Sequence, residues 1–178
     1  KDMTNGGIVN NDKTRYSVSS KIDGIRKTLI IDSLGVWTVS AMGLQPNLLF
    51  RHSEFSKSLG NLANTNYRKL VSNYKVSVFD CELVENSSED DLYIIYDCLA
   101  VSSKVVMDMP QIPINCSNYD DLVSKQNKPT SRLYIAYLFV NSFSKFVKSK
   151  IRLSMKYFEV VTIDNFFDVS CKYISDNI

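Results

Sequence analysis

The stretch YSVSSKIDGIRKTLIID, Tyr16 to Asp32, alternates apolar and polar residues on both sides of a central Asp23-Gly24 pair. Such alternation predicts β-strands, and Asp-Gly is a favoured hairpin turn. In a plain hairpin, Lys21 and Arg26 would be solvated charges. A turn by itself does not require a lysine before Asp-Gly and an arginine after it, so the stretch is also a candidate functional site.

The rest of the chain predicts an α+β fold of antiparallel β-sheets with inserted helices. Strands are expected at Tyr16–Ser20, Arg26–Ile31, Val36–Ser40, Lys75–Glu85, Leu92–Val101 and residues 151–163. The first three should form a meander. Helices are expected over residues 130–150 and 164–176, with partly helical structure over 48–74.

The longer of the two expected helices has apolar residues at a helical spacing, which predicts one buried face. That face comprises Leu133, Ala136, Tyr137, Val140, Phe143 and Val147. Ser131 stands just before the apolar run and is expected to cap the helix.

The bulk composition indicates one domain that spans residues 1–178. The chain is 44% hydrophobic with a net charge of +2, which is too small to indicate nucleic-acid binding by itself. No apolar run approaches the about twenty residues of a membrane-spanning helix, and no signal peptide is recognised. We therefore expect an intracellular protein with no membrane partner. The four cysteines form no C-x-x-C pair and His52 is the only histidine, so we expect reduced thiols and no zinc site.

Four segments, in this order, resemble motifs of the covalent nucleotidyltransferases, the superfamily of mRNA capping guanylyltransferases and ATP-dependent DNA and RNA ligases. KIDGIR, residues 21–26, resembles motif I, K-x-D-G-x-R. VFDCELV, residues 78–84, resembles motif III, apolar residues followed by D-G-E-L, with Cys81 in place of the glycine. YIIYDCL, residues 93–99, resembles motif IIIa, and IRLSMKYF, residues 151–158, resembles the stretch before motif IV. Motifs IV and V are not present, so the resemblance implies a partial nucleotidyltransferase (ligase/capping enzyme) domain.

The resemblance implies that the amine of Lys21 attacks the α-phosphate of a nucleoside triphosphate, giving a lysyl-N-phosphate intermediate and pyrophosphate. It implies that Asp23 and Arg26 bind the substrate, Arg26 through ribose or phosphate oxygens. Glu82 would bind the ribose hydroxyls or a metal ion, and Tyr96 would offer a ring on which a purine stacks. Mg²⁺ or Mn²⁺ would neutralise the developing phosphate charge.

Within the superfamily, the chain resembles the capping enzymes most. Only ENSSEDD joins the strands of motifs III and IIIa, where DNA ligases usually carry a longer insertion, and Ser40-Ala41 lacks an arginine that ligases often have there. We therefore expect an mRNA guanylyltransferase that takes GMP from GTP and passes it to the 5′-diphosphate end of RNA. The composition, rich in Asn, Ser, Lys and Tyr, favours a viral source, with the host cytoplasm or nucleus, or the virion, as the location.

Two alternatives stay open. One is an ATP-dependent polynucleotide ligase that carries AMP on Lys21. The other is a noncatalytic scaffold module of an RNA-processing or transcription complex, which Cys81 and the missing motifs IV and V favour somewhat. Further domains or subunits of a capping or transcription complex are expected as partners.

We expect residues 1–178 alone to bind GTP weakly and to form little lysyl-GMP. The resemblance implies that later motifs supply the lysines that hold the triphosphate and lower the pKa of the nucleophile. Each unit of pKa that is not lowered leaves about tenfold less neutral amine at neutral pH. Labelling with radioactive GTP and Mg²⁺ or Mn²⁺ measures this. Efficient labelling of the isolated chain would contradict the expectation and show that other groups activate the lysine.

Overall fold

The computed structural model describes residues 16–40, 43, 45–51, 76–85, 90–113, 115–125, 130–144, 151–162 and 164–175. The strands in these ranges are β1 (Tyr16–Val18), β2 (Ile25–Ile31), β3 (Gly35–Ser40), β4 (Asn47–Arg51), β5 (Ser77–Val84), β6 (Asp91–Val101), β7 (Lys104–Val105), β8 (Ile151–Met155) and β9 (Glu159–Val161). The helices are α1 (Tyr119–Lys125), α2 (Arg132–Ser144) and α3 (Phe166–Ser175). The chain forms two compact units. Unit 1 comprises Lys1–Lys21, Ile114–Asn127 and Lys156–Ile178, and unit 2 comprises Ile22–Pro113 and Lys128–Met155.

Unit 2 is built around one β-sheet with the strand order β4-β3-β2-β5-β6-β7. Along this path each strand pairs antiparallel with its neighbour, and β8 pairs with β6 in parallel. The expected α+β class is confirmed, and the expected antiparallel pairing holds along this path but not for β8 with β6. A parallel neighbour requires a long crossover connection, and helix α2 supplies it because it lies between β6 and β8 in the chain.

The pairing of β2 with β5 determines which side chains face the core. The register runs without a break from Ile25 opposite Leu83 to Ile31 opposite Ser77. Successive side chains of a strand alternate between the two faces of a sheet. One face is therefore mostly apolar and buried, and its fully buried apolar side chains on β2, β5 and β6 are Leu29, Ile31, Phe79, Cys81, Ile95 and Cys98.

Helix α2 covers the buried face through aromatic contacts. The ring of Phe139 stacks on the ring of Phe79 in β5, with centroids 4.8 Å apart. The ring of Phe143 contacts that of Phe50 in β4, also at 4.8 Å. These two contacts join the helix to strands on both sides of β2 and leave the opposite face of the sheet for other roles.

Ser131 caps helix α2 as expected, because its Oγ accepts a hydrogen bond from the backbone N–H of Tyr134 at 3.2 Å. The expected buried face is confirmed in part. Tyr137 and Val140 are only half-buried, and Val147 lies outside the described residues. The buried side chains of the helix are Leu133, Tyr134, Ile135, Ala136, Phe139 and Phe143. These side chains cover more of the helix circumference than a single stripe, because the helix contacts both β6 and β8.

Strand β1 does not form the expected meander with β2. It pairs antiparallel with β9, with Tyr16 opposite Val161. Strand β2 offers no edge to β1, because β3 and β5 occupy both of its edges. The Asp23-Gly24 pair therefore does not close a hairpin between β1 and β2; it lies directly after the point where the chain passes from unit 1 to unit 2.

Two other segments differ from expectation. Residues 151–163 form two strands rather than one, because β8 pairs with β6 whereas β9 pairs with β1, and residues 156–158 separate them. Asn47–Arg51, whose residues from Leu48 were expected to be partly helical, forms strand β4 against β3. The rest of that expected segment, residues 52–74, lies outside the described part of the chain.

Unit 1 contains β1, β9, α1 and α3. Helix α3 confirms the short helix expected over residues 164–176. Helix α1 was not expected; it begins after Asn118, whose Oδ1 accepts a hydrogen bond from the N–H of Asp121 at 2.9 Å and caps the helix. No helix in the described part of either unit is long and apolar enough to cross a membrane.

Replacing Phe79 with alanine should lower the free energy of unfolding by about 3–5 kcal/mol, because it removes a buried ring and leaves a cavity against Phe139. Urea denaturation measures the loss. The matched control is Phe167→Ala, at a side chain that is 61% exposed, which should change stability by about 0.5 kcal/mol or less. Equal losses for the two variants would show that Phe79 does not belong to the core.

Candidate functional site

The face of the unit 2 sheet opposite the core carries polar side chains where β2 and β5 pair. Arg26 is opposite Glu82, and Thr28 is opposite Asp80. Paired residues share a face, and residues two apart along a strand return to it. These four side chains therefore lie together on what we call the polar face.

Asp80 is the centre of a hydrogen-bond cluster on the polar face. Its Oδ1 accepts hydrogen bonds from Arg26 Nε at 3.1 Å and from the Tyr96 hydroxyl at 2.9 Å, and its Oδ2 accepts one from Arg26 Nη2 at 2.5 Å. The side chain of Asp80 is 8% exposed, whereas that of Arg26 is 67% exposed. An exposed guanidinium thus rests on a buried carboxylate in the two-pronged geometry that the two groups favour. We call these three residues the Asp80 cluster.

The charge of Arg26 is balanced within this cluster. The hydrogen bonds and the negative charge of Asp80 raise the pKa of Arg26 even further above its ordinary value. Because the two opposite charges are in contact, the pair adds little net charge to the polar face. Arg26 therefore offers directed N–H donors, and no acceptor among the described residues reaches its Nη1.

A β-bulge brings Tyr96 into the Asp80 cluster. Along β6 the register changes from Asp97 opposite Asp80 to Ile95 opposite Cys81, so Tyr96 is the extra residue. Bulges redirect side chains and are frequent beside functional sites. Burial, followed by the hydrogen bond and charge of Asp80, raises the pKa of Tyr96. Its hydroxyl consequently stays protonated at neutral pH and keeps its role as a donor.

The bulge is held in place by Gln111 and by Arg132, the first residue of helix α2. Gln111 Nε2 donates a hydrogen bond to the carbonyl oxygen of Tyr96 at 3.3 Å. Asp97 pairs with Arg132 Nη1 at 3.1 Å and accepts a hydrogen bond from the N–H of Cys98 at 2.8 Å. Burial raises the pKa of Asp97, and the charge of Arg132 opposes this shift. Gln111 and the first residue of the helix thus hold the bulged strand at Tyr96 and Asp97.

Glu82 holds the turn that precedes β2. Its Oε1 accepts a hydrogen bond from the N–H of Gly24 at 3.1 Å. The backbone of Gly24 lies so close to β5 that a Cβ there would stand 2.5 Å from the carbonyl oxygen of Leu83 and 2.8 Å from Cγ of Glu82. The glycine of KIDGIR is therefore required for a close approach of two strands. One oxygen of Glu82 serves this contact, and Oε2 is left for other partners.

The residues expected to form the site fall into both units. Arg26 and Glu82 lie on the polar face, and Tyr96 reaches it through the bulge. Asp23 is exposed in the loop before β2, in the same unit. Lys21 is exposed and is the last residue of the first segment of unit 1. The structure therefore brings together Arg26, Glu82 and Tyr96.

Sequence reasoning missed Asp80, although a signal was present. In the strand segment D-C-E, alternation requires Asp80 and Glu82 to share a face, with Cys81 on the other. Cys81 is fully buried on the core side, and its Sγ donates to the carbonyl oxygen of Lys27 at 3.3 Å. Burial, and then the charge of Asp80, raises the pKa of Cys81 to about 12, so the thiol is inert at neutral pH. A cysteine in place of glycine thus leaves the polar face unobstructed.

The polar face offers a divalent cation one carboxylate oxygen. Both oxygens of Asp80 already accept hydrogen bonds, which leaves Oε2 of Glu82. Nowhere in the described ranges do three His, Cys, Asp or Glu side chains come together as a metal-binding group. Mg²⁺ in nucleotide sites is held by one or two carboxylates together with the phosphates. The metal role expected of Glu82 stays a prediction, with this oxygen as the single carboxylate ligand that it can offer.

Comparison with known proteins bears on the fold. No protein-family model and no curated protein matches the chain. A solved structure named "Pmar-Lig_Pre." is similar to it, with a TM-score of 0.51 and 15% sequence identity, over 91% of this chain and 36% of that one. At this identity the similarity shows a shared α+β fold and nothing more specific. The chain spans about a third of the length of that structure's chain.

Replacing Gly24 with alanine should separate β2 from β5 at the end that carries Glu82. The expected cost is about 1–3 kcal/mol of unfolding free energy, because the new methyl group overlaps the backbone of β5. Amide hydrogen exchange at Leu83 and Ile25 should accelerate.

The matched control is Gly43→Ala, where a Cβ meets nothing within 4 Å and only the φ of 73° opposes the change. This control should leave exchange in β2 and β5 unchanged. A Gly24→Ala protein as stable as the parent, with unchanged exchange, would show that the two strands approach less closely at this point.

Proposed function

We propose that this chain is the nucleotide-accepting part of an mRNA guanylyltransferase, in which Lys21 receives GMP from GTP and passes it to the 5′-diphosphate end of RNA. The observation that carries the proposal is the Asp80 cluster. Arg26, Asp80 and Tyr96 come from the segments that resemble motifs I, III and IIIa, and they are hydrogen-bonded to one another. Segments far apart in the chain thus converge as a single nucleotide site would require. The proposal includes the nucleotidyltransferase fold as the finer description of the α+β architecture.

The proposed reaction has two balanced steps. In the first, the lone pair of Lys21 Nζ forms a bond to the α-phosphorus of GTP, the bond from that phosphorus to the β-phosphate oxygen breaks, pyrophosphate leaves and the amine loses a proton. In the second, a terminal oxygen of diphosphate-ended RNA attacks the same phosphorus, the phosphorus–nitrogen bond breaks, and the amine regains its proton. The lysine attacks only in its neutral form, so its pKa has to be lowered in the complex.

The side chains of unit 2 would bind and orient the nucleotide. Arg26 would donate to ribose or phosphate oxygens, and Tyr96 would stack on the purine ring. Glu82 would accept from the ribose hydroxyls through Oε2, while Oε1 holds the turn of KIDGIR. Asp23 would complete the substrate contacts from the loop before β2. Positioning of this kind supplies much of the rate in phosphoryl transfer.

A divalent cation, Mg²⁺ or Mn²⁺, would neutralise charge on the phosphates when bound, with Glu82 as its protein ligand. The contact of Arg26 with Asp80 means that Arg26 contributes little net positive field. The charge that lowers the pKa of the nucleophile would therefore come from other groups, including lysines of further domains or subunits. The proposed partners are GTP and RNA 5′ ends, and the proposed location is intracellular.

An ATP-dependent polynucleotide ligase is the second candidate. The observation that favours it is the similar structure whose name contains "Lig". The two candidates share the lysine chemistry and differ in the base that the site accepts, so nucleotide preference separates them. A noncatalytic scaffold module would accept neither nucleotide.

Labelling of the protein with α-³²P-GTP or α-³²P-ATP, followed by denaturing electrophoresis, tests the proposal. We expect an acid-labile, alkali-stable adduct with GTP, formed by the parent polypeptide that contains this chain. Lys21→Ala should abolish it while the fold stays intact, and Lys104→Ala, at an exposed lysine of β7, should not change it.

A GMP adduct on the Lys21→Ala protein would show that another residue is the nucleophile. Labelling with ATP in place of GTP would favour the ligase. The absence of a label from both nucleotides would favour the scaffold module.

A further inference from the structure

Asp80 occupies a place in the candidate site that prevents it from touching a ligand itself. Its side chain is 8% exposed, and each of its oxygens already accepts at least one hydrogen bond from a neighbouring side chain. The groups that a ligand would meet are the donors around it. Asp80 therefore influences a ligand only by controlling where Arg26 and Tyr96 are held.

The hydrogen bonds of Arg26 show that Asp80 fixes the orientation of its guanidinium. Arg26 is directly opposite Glu82 in the sheet, yet its guanidinium bonds to Asp80, which precedes Glu82 by two residues in β5. Two bonds from Nε and Nη2 to one carboxylate fix the plane of the guanidinium, because its N–H groups are rigidly arranged. An exposed arginine without such a partner would sample many rotamers. Fixing the plane directs the remaining Nη1 edge away from Asp80.

The carboxylate of Asp80 also holds the ring of Tyr96 in place. Tyr96 is the extra residue of the bulge in β6, and its hydroxyl donates to the Oδ1 that also accepts from Arg26 Nε. The separation between the guanidinium and the ring is thereby set by a single buried group. A ligand that used both would find them already at a fixed spacing, which lowers the ordering cost of binding.

We infer that Asp80 is a positioning residue of the nucleotide site, which holds the Arg26 fork and the Tyr96 ring at a fixed spacing before a nucleotide binds. The identity of the ligand rests on the proposed function, whereas the ordering of the two side chains does not. Asp80 therefore acts through its two donors. Removing its charge should affect nucleotide binding only while those donors are present.

The first arm of the test needs no nucleotide. In ¹⁵N NMR spectra of the 178-residue chain, the Nε–H of Arg26 should be visible and protected from exchange with water, and Asp80→Asn should weaken this protection. The amide of asparagine is nearly isosteric, but its NH2 group cannot accept a hydrogen bond, so the two-pronged contact with the guanidinium is lost. Asp108→Asn, at an exposed carboxylate, is the control for the loss of one charge and should leave the signal unchanged.

The second arm measures GTP affinity by NMR titration, which tolerates weak binding. Asp80→Asn should weaken GTP binding by about tenfold, the size of effect that supporting groups typically have. The same substitution made in an Arg26→Ala/Tyr96→Phe background should have no further effect, because residues that act through one another are not additive. Asp80→Glu, which keeps the charge, should restore part of the affinity. The unfolding midpoint of each variant shows whether a loss of GTP affinity results from unfolding of the protein.

The two arms separate the possible failures. Protection of Arg26 that did not depend on Asp80 would overturn the inference whatever the ligand. A full loss of affinity from Asp80→Asn in the doubly substituted background would also overturn it, because the carboxylate would then act directly. If neither the unsubstituted chain nor the longer polypeptide that contains it bound GTP or ATP, the proposed function would fail. The first arm would still decide whether Asp80 orders the two side chains.

Discussion

The pairing of β2 with β5 is the constraint on which the rest of the site depends. It brings Arg26 to Asp80 and Gly24 to Glu82, residues that are 54 and 58 positions apart in the chain. It also places the apolar members of both strands against helix α2. A shift of the register by one residue would exchange the two faces, sending Arg26 toward the core and its apolar neighbours toward water. The burial of the core and the composition of the polar face are thus two results of one register.

Local pattern was enough to predict the elements that carry the site. Strands β5 and β6 have strong alternation and sharp polar ends, and helix α2 has its cap at Ser131 and its apolar run. Once β2 and β5 are paired in the observed register, the alternation also predicts that Arg26 and Glu82 share a face. The close approach of the Gly24 backbone to β5 explains why the motif has a glycine, which the sequence alone attributed to a favoured turn.

Partner choice between distant strands could not be predicted in the same way. Nothing in the sequence around Tyr16 indicates that β1 pairs with β9 instead of β2, because both edges of β2 are occupied by strands elsewhere in the chain. The parallel pairing of β8, and the break after Met155, likewise depend on which part of the β6 edge is not paired with another strand. The role of Asp80 required both the register and the bulge at Tyr96, and a bulge inserts a residue without a local sequence signal. These features arise from tertiary contacts, so a single sequence read by local rules does not contain them.

The different chain separations within the Asp80 cluster have a consequence for folding kinetics. Asp80 and Tyr96 are 16 residues apart on neighbouring strands, whereas Arg26 is 54 residues from the carboxylate. Closing the longer loop costs more entropy, so the tyrosine should engage the carboxylate before the arginine docks. In the language of transition states, contacts of Arg26 would have φ-values near zero and would act mainly on the rate of unfolding. A ligand that held Arg26 would then prolong the lifetime of the native state while leaving the speed of folding almost unchanged.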